Sequence, residues 1–129
     1  MRSTLLALVL VLAMAAPAGA ATRLVRYDVA GGIAGISERL VVDLDGSARQ
    51  SGDTTRRFKV SPAQLRALKR ELEAARFGSL KRSYRPDVPV FDGTTQSVRY
   101  KGIEIDVYTA AEVPDRLGRV LRRLSSLMR

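Results

Sequence analysis

The stretch Ala30-Gly31-Gly32-Ile33-Ala34-Gly35-Ile36 constrains this chain more than any other. Three glycines fall within five residues, and the segments on either side alternate apolar and polar side chains. Upstream, Val25, Tyr27 and Val29 share one face of Arg23 to Val29; downstream, Leu40, Val42 and Leu44 share one face of Ile36 to Leu44. Period-2 alternation is the pattern of a half-buried strand, because successive side chains point to opposite faces. The glycines therefore join two strands rather than opening a helix. That excludes a phosphate-cradling loop, which uses the exposed N–H groups and dipole of a following helix.

The same reasoning organises the rest. Asp45-Gly46 is a hairpin signal and predicts a type I′ turn with positive φ at both residues. A polar strand is expected at Ser47 to Ser51, and Gly52 to Val60 reads as a bulge or a further short hairpin. Ser61-Pro62-Ala63-Gln64 has the form of a capping box with proline at the first helical position. Leu65, Leu68, Leu72 and Ala75 then recur at helical spacing, and Gly78 is placed to take the left-handed conformation at the helix end. Lys81 to Gly93 reads as a loop stiffened by Pro86 and Pro89. A second hairpin turns at Lys101-Gly102, with Val98, Tyr100, Ile103, Ile105 and Val107 on its apolar side. Pro114 and Asp115 open a last helix with Leu117, Val120, Leu121, Leu124 and Met128 as its stripe. The predicted fold is α+β: an antiparallel sheet with two helices on one face, in the order β-β-β(-β)-α-β-β-α.

The first twenty residues stand apart. Arg2 precedes an apolar run from Leu5 to Ala16, and Ala18-Gly19-Ala20 offers small residues at a cleavage site. The run is shorter than the roughly 20 residues that span a bilayer, so it reads as a secretory signal cleaved after Ala20. Residues 21–129 then form one domain, expected to be secreted or periplasmic. Without Arg2, 21 basic side chains face 13 acidic ones, a surplus of eight that favours acidic partners or aids solubility. Export and the lack of aromatics interleaved with basic residues argue against nucleic acid.

The chain contains no histidine and no cysteine. The commonest general base, the commonest zinc ligands and the thiol nucleophile are thereby missing together. Asp43-Leu44-Asp45-Gly46 lacks the remaining ligands of a calcium loop and is better read as hairpin chemistry. Glu104 and Asp106 share a strand face, as the solvated side of an amphipathic strand would. The chain is expected to be non-enzymatic, with no cofactor and no metal. Two surfaces remain as candidate contacts. One is the basic ridge Arg116, Arg119 and Arg123 of the last helix, suited to an anionic polymer or lipid surface and at most peripheral contact with a membrane. The other is Gly31, Gly32, Ile33, Ala34, Gly35 and Ile36, where a β-branched residue at a loop tip is costly to expose and useful as an anchor. From the residues alone, that stretch is equally readable as a binding loop or as a bulge that twists a long hairpin.

A family resemblance separates these readings. Gly31-Gly32-Ile33-Ala34-Gly35-Ile36, Leu40-Val41-Val42-Asp43, Ser61-Pro62-Ala63-Gln64-Leu65, Ala74-Ala75-Arg76-Phe77 and the apolar helix after Pro114 together resemble emfourin. The resemblance runs from about Leu24 to Met128, with the order of elements kept. Emfourin-like proteins are small inhibitors of thermolysin-like zinc metalloproteases. The resemblance thus implies a protein partner of that class, met through the glycine-rich loop, with the zinc belonging to the partner. This chain departs from the family in having Ile33 where an aromatic is common, in its leader, and in a longer segment from Gly46 to Arg57.

Overall fold

The computed structural model describes residues 22–128; the predicted signal peptide and its cleavage site lie outside the described residues. Seven strands and two helices follow in the order β1 (Arg23–Gly31), β2 (Ile36–Asp43), β3 (Ser47–Ser51), β4 (Arg56–Lys59), α1 (Pro62–Ala74), β5 (Ser83–Tyr84), β6 (Thr94–Tyr100), β7 (Ile103–Tyr108) and α2 (Asp115–Leu127). A single 3₁₀ turn at Phe77–Ser79 follows α1. The strands form one sheet ordered β4-β3-β2-β1-β6-β7-β5, and both helices lie on one of its faces. Every neighbouring pair is antiparallel except β5 with β7, a two-residue parallel pairing inside the segment expected to be only loop. The Gly52 region resolves into a hairpin, with Gln50 opposite Arg56 across β3 and β4.

Burial follows the alternation. Val25, Tyr27, Leu40, Val42, Ala48, Val98, Ile105 and Val107 face the helices from the sheet, and Leu68, Leu72, Leu117, Val120 and Leu124 meet them from above. A shift of register at Leu24 lets the consecutive residues Leu24 and Val25 both join this cluster, as a bulge allows. The edge-to-face pair Phe77–Tyr100, with centroids 5.3 Å apart, closes one end.

Three local expectations are corrected. Leu44 does not extend the apolar face of β2; it is exposed in a turn closed by the Gly46 N–H donating to the Asp43 carbonyl at 3.0 Å. That turn has three linking residues and only Gly46 at positive φ, so it is not type I′, and Asp45 instead caps it by accepting from the Ser47 N–H at 2.9 Å. The left-handed residue after α1 is Arg76, at φ 49°, rather than Gly78. The helix ends two residues early because Phe77 must turn inward to reach Tyr100. The two-residue hairpin turn with positive φ at both positions is Lys101-Gly102, at 48° and 77°.

Tyr27 joins the sheet to α2. Its hydroxyl donates to Gln96 Oε1 at 2.6 Å, and burial pushes its pKa up to about 12 against a smaller opposing effect from Ser125. A phenol whose folded pKa lies above its unfolded value of 10 contributes stability that is intact below pH 10 and lost as pH rises through 12. Two pKa units correspond to about 2–3 kcal/mol. Denaturant titrations from pH 9 upward are expected to show this loss in the wild type, with Tyr27→Phe removing the Tyr27 share of it.

Candidate functional site

The candidate loop is the far end of the β1–β2 hairpin. Gly31 and Ile36 are the last cross-strand pair, leaving Gly32 to Gly35 as the turn, closed by the Gly35 N–H donating to the Gly32 carbonyl at 3.1 Å. Gly31, Gly32 and Gly35 have φ of 110°, 80° and 64°, values that side chains disfavour. At Gly31 the need is also steric, since a Cβ would lie 3.0 Å from the Gly93 carbonyl oxygen. Ile33 stands 83 % exposed at the tip and Ile36 39 % at the base.

The loop has a neighbour that sequence reasoning did not single out. The Gly32 N–H donates to the Gly93 carbonyl at 3.1 Å, which ties the turn to the segment 85–93 between β5 and β6. There Phe91 is 99 % exposed, and Val88 and Val90 are exposed as well. Among the described residues, five of the six large exposed hydrophobic side chains lie on these two loops, the sixth being Leu44. The second loop is anchored at both ends. The Arg85 guanidinium stacks 4.1 Å from the Tyr108 ring centroid and donates to its hydroxyl at 2.9 Å. At the other end, the Thr94 N–H donates to Thr109 Oγ1 at 2.7 Å, and the Gly93 N–H donates to the Val90 carbonyl. Pro86 and Pro89 fix φ between those anchors and line a cavity of about 120 Å³ beneath the loop. Two held loops thus present Ile33 and Phe91 at one end of the sheet, an apolar concentration that water disfavours and a partner's pocket would cover. The available signal for Phe91 was an aromatic in a short segment bracketed by Pro89 and Gly93 and flanked by Asp92.

No protein-family model matches the chain, and no curated protein matches it either. The reading of the site therefore rests on its geometry and on the resemblance.

The arginine ridge of α2 is differently employed. Arg116 donates from Nε to the Ala75 carbonyl at 2.9 Å, capping the end of α1, and from Nη2 to Ser79 Oγ. Arg123 grips Glu71 of α1 through two bonds of 2.6 and 2.7 Å. Only Arg119 of the three projects without such a bond. Charge-assisted and bidentate bonds are the stronger ones, so Arg116→Ala and Arg123→Ala are each expected to lower stability by about 1–2 kcal/mol, and Arg119→Ala by less than about 0.5 kcal/mol. Urea denaturation of the three variants checks the order.

The carboxylates of Glu104 and Asp106 are likewise occupied. Asp106 accepts from Ser97 Oγ at 2.7 Å, Glu104 meets Arg26 at 3.5 Å, and Asp28 lies between Arg26 and Arg39. Asp45 is held below the ordinary carboxylate range, chiefly by the backbone N–H of Ser47. Among the described residues no three acidic side chains converge as a metal site would require. A groove of about 500 Å³ between α2 and the end of β7 is lined by Gln96, Tyr108, Arg122 and Ser125 among others, and by no carboxylate.

Proposed function

We propose that this chain is an exported binding protein that inhibits a thermolysin-like zinc metalloprotease through the Gly31–Ile36 loop. The observation that carries the reading is the exposure of Ile33 on a turn pinned at Gly31 and Gly32 to the neighbouring loop. The partner class comes from the resemblance to emfourin. A pinned loop loses little conformational entropy on docking, and a preorganised contact gains affinity for that reason. The glycine backbone can come close to the walls of a cleft while Ile33 fills an apolar pocket beside the scissile bond. Residence without cleavage follows where the flanking strands stop the loop from relaxing into a substrate's geometry. The basic surplus can steer encounter with an acidic protease surface.

The test is a titration of a thermolysin-like protease with the chain lacking its first twenty residues. Stoichiometric loss of proteolysis is expected. Undiminished proteolysis by every such enzyme tried, including those of the same organism, would sink the proposal. The alternative of an anionic surface bound through α2 has less support, because two of its three arginines hold α1 in place.

A further inference from the structure

From the face of the sheet that no helix covers, we infer a second binding surface, for a flexible unbranched polyanion laid across the strands. The register places Arg57 of β4 opposite Arg49 of β3, Arg49 opposite Val41 of β2, Val41 opposite Arg26 of β1, and Arg26 opposite Arg99 of β6. Four arginines thus occupy one transverse row with a single valine among them. At the usual spacing of hydrogen-bonded strands, the row is about 19 Å long. Alternation puts all of them on the uncovered face, since their neighbours Phe58, Ala48, Gln50, Leu40, Val42, Val25, Tyr27, Val98 and Tyr100 face the helices.

Two features separate this row from an ordinary solvated face. First, Arg49–Arg57 and Arg26–Arg99 are direct cross-strand pairs of like charge, which destabilise a sheet. The available carboxylates offset this in part only. Arg26 meets Asp28 at 2.9 Å and Glu104 at 3.5 Å, and Arg49 reaches Asp43 at 3.8 Å. Arg57 and Arg99 are exposed and make no such bond, although Glu104 of β7 stands directly opposite Arg99 and ends the row. An anion between the members of each pair would relieve the repulsion. Second, Val41 is only 8 % exposed although no helix lies over it. Arg26 and Arg49 stand directly opposite it on either side, on the same uncovered face.

The form of the ligand follows from the surface. Guanidinium forks pair bidentately with the oxygens of phosphate and sulfate as they do with carboxylates, and the proposed ligand carries closely spaced sulfate or phosphate groups. Sheets twist by roughly 20–25° per strand, so five strands turn through roughly 90°. A planar bilayer meets few arginines of such a row at once, whereas a flexible chain follows all of them. No aromatic side chain lies in the row, so bases have no platform to stack on and binding is by charge alone. The surface is independent of the Gly31–Ile36 loop, and its test does not involve a protease.

Heparin and long-chain inorganic polyphosphate serve as probes of the two sources of that chemistry, with dextran as the neutral control. Affinity is read by calorimetry over a series of salt concentrations. The double variant Arg57→Gln with Arg99→Gln is expected to bind at least about 10-fold more weakly and to lower the slope of log K against log salt by about 1.5 to 2. Arg66→Gln with Arg70→Gln, which removes the same charge from α1, is expected to leave both nearly unchanged. Tighter binding of heparin or of polyphosphate identifies a sulfated polysaccharide or a phosphate polymer as the natural class. Equal losses in the two double variants, a loss on Arg119→Gln as large as that of the Arg57 and Arg99 pair, no binding of either probe, or tighter binding to phosphatidylglycerol vesicles would overturn the inference. Retained helix and sheet signals in circular dichroism separate lost binding from lost fold.

Discussion

Ile33→Asp is expected to weaken inhibition of a thermolysin-like protease by about 100-fold or more, and Phe91→Ala by about 10- to 100-fold. A central apolar anchor contributes roughly 2–4 kcal/mol to an interface, and each 1.4 kcal/mol is a factor of ten. Aspartate at Ile33 adds the cost of burying a charge in an apolar pocket, which puts it at the upper end. Both side chains are almost fully exposed in the free protein, so neither change should move the melting temperature by more than a degree or two. Inhibition constants and melting curves measured together therefore isolate binding from folding. Because the Gly32–Gly93 bond links the loops, the two effects are expected to be less than additive. If Phe91→Ala costs more than Ile33→Asp, the second loop is the principal anchor. Unchanged inhibition by both variants of an active wild type would remove this end of the sheet as the contact surface.

What the sequence supplied, and what it did not, divides along a physical line. Strands β1, β2, β6 and β7 and both helices were readable because each buries one face and so carries a period in its own residues. The cap at Ser61 was readable for the same local reason, and its hydroxyl does accept the Gln64 N–H at 3.2 Å. Properties that depend on distant partners were not. Arg116 and Arg123 look like a free ridge along α2 until α1 is set beside them. Arg76 takes the conformation expected of Gly78 because Phe77 packs on Tyr100, a partner 23 residues away. Val88, Val90 and Phe91 belong with Ile33 only through the pairing of β1 with β6. The arginine row is the extreme case. Its members come from four strands, and only the register lines them up.

Gly52→Ala is expected to be the most destabilising alanine substitution at any turn glycine of the chain, by about 3 kcal/mol or more. The residue has φ of 139°, and a Cβ there would lie 2.5 Å from the Ser37 carbonyl oxygen and 3.0 Å from Glu38 Cα. Both obstacles involve the backbone of the adjoining strand, so no side-chain rotation relieves them. Strained backbone costs roughly 1–3 kcal/mol, and overpacking adds a similar amount. For a domain of this size, 3 kcal/mol lowers the melting temperature by about 15 °C. Gly78→Ala is the matched control: nothing lies within 4 Å of its Cβ position and its φ is not positive. There the smaller entropy of the unfolded chain is expected to raise stability by a few tenths of a kcal/mol. The pair also tests the site. Ser37 follows Ile36 directly, so the displacement forced by a methyl group at position 52 is delivered to the base of the Gly32–Gly35 turn. Gly52→Ala protein held well below its melting temperature is therefore expected to inhibit less well than wild type. Gly78→Ala, about as conservative and remote from the turn, is expected to inhibit equally.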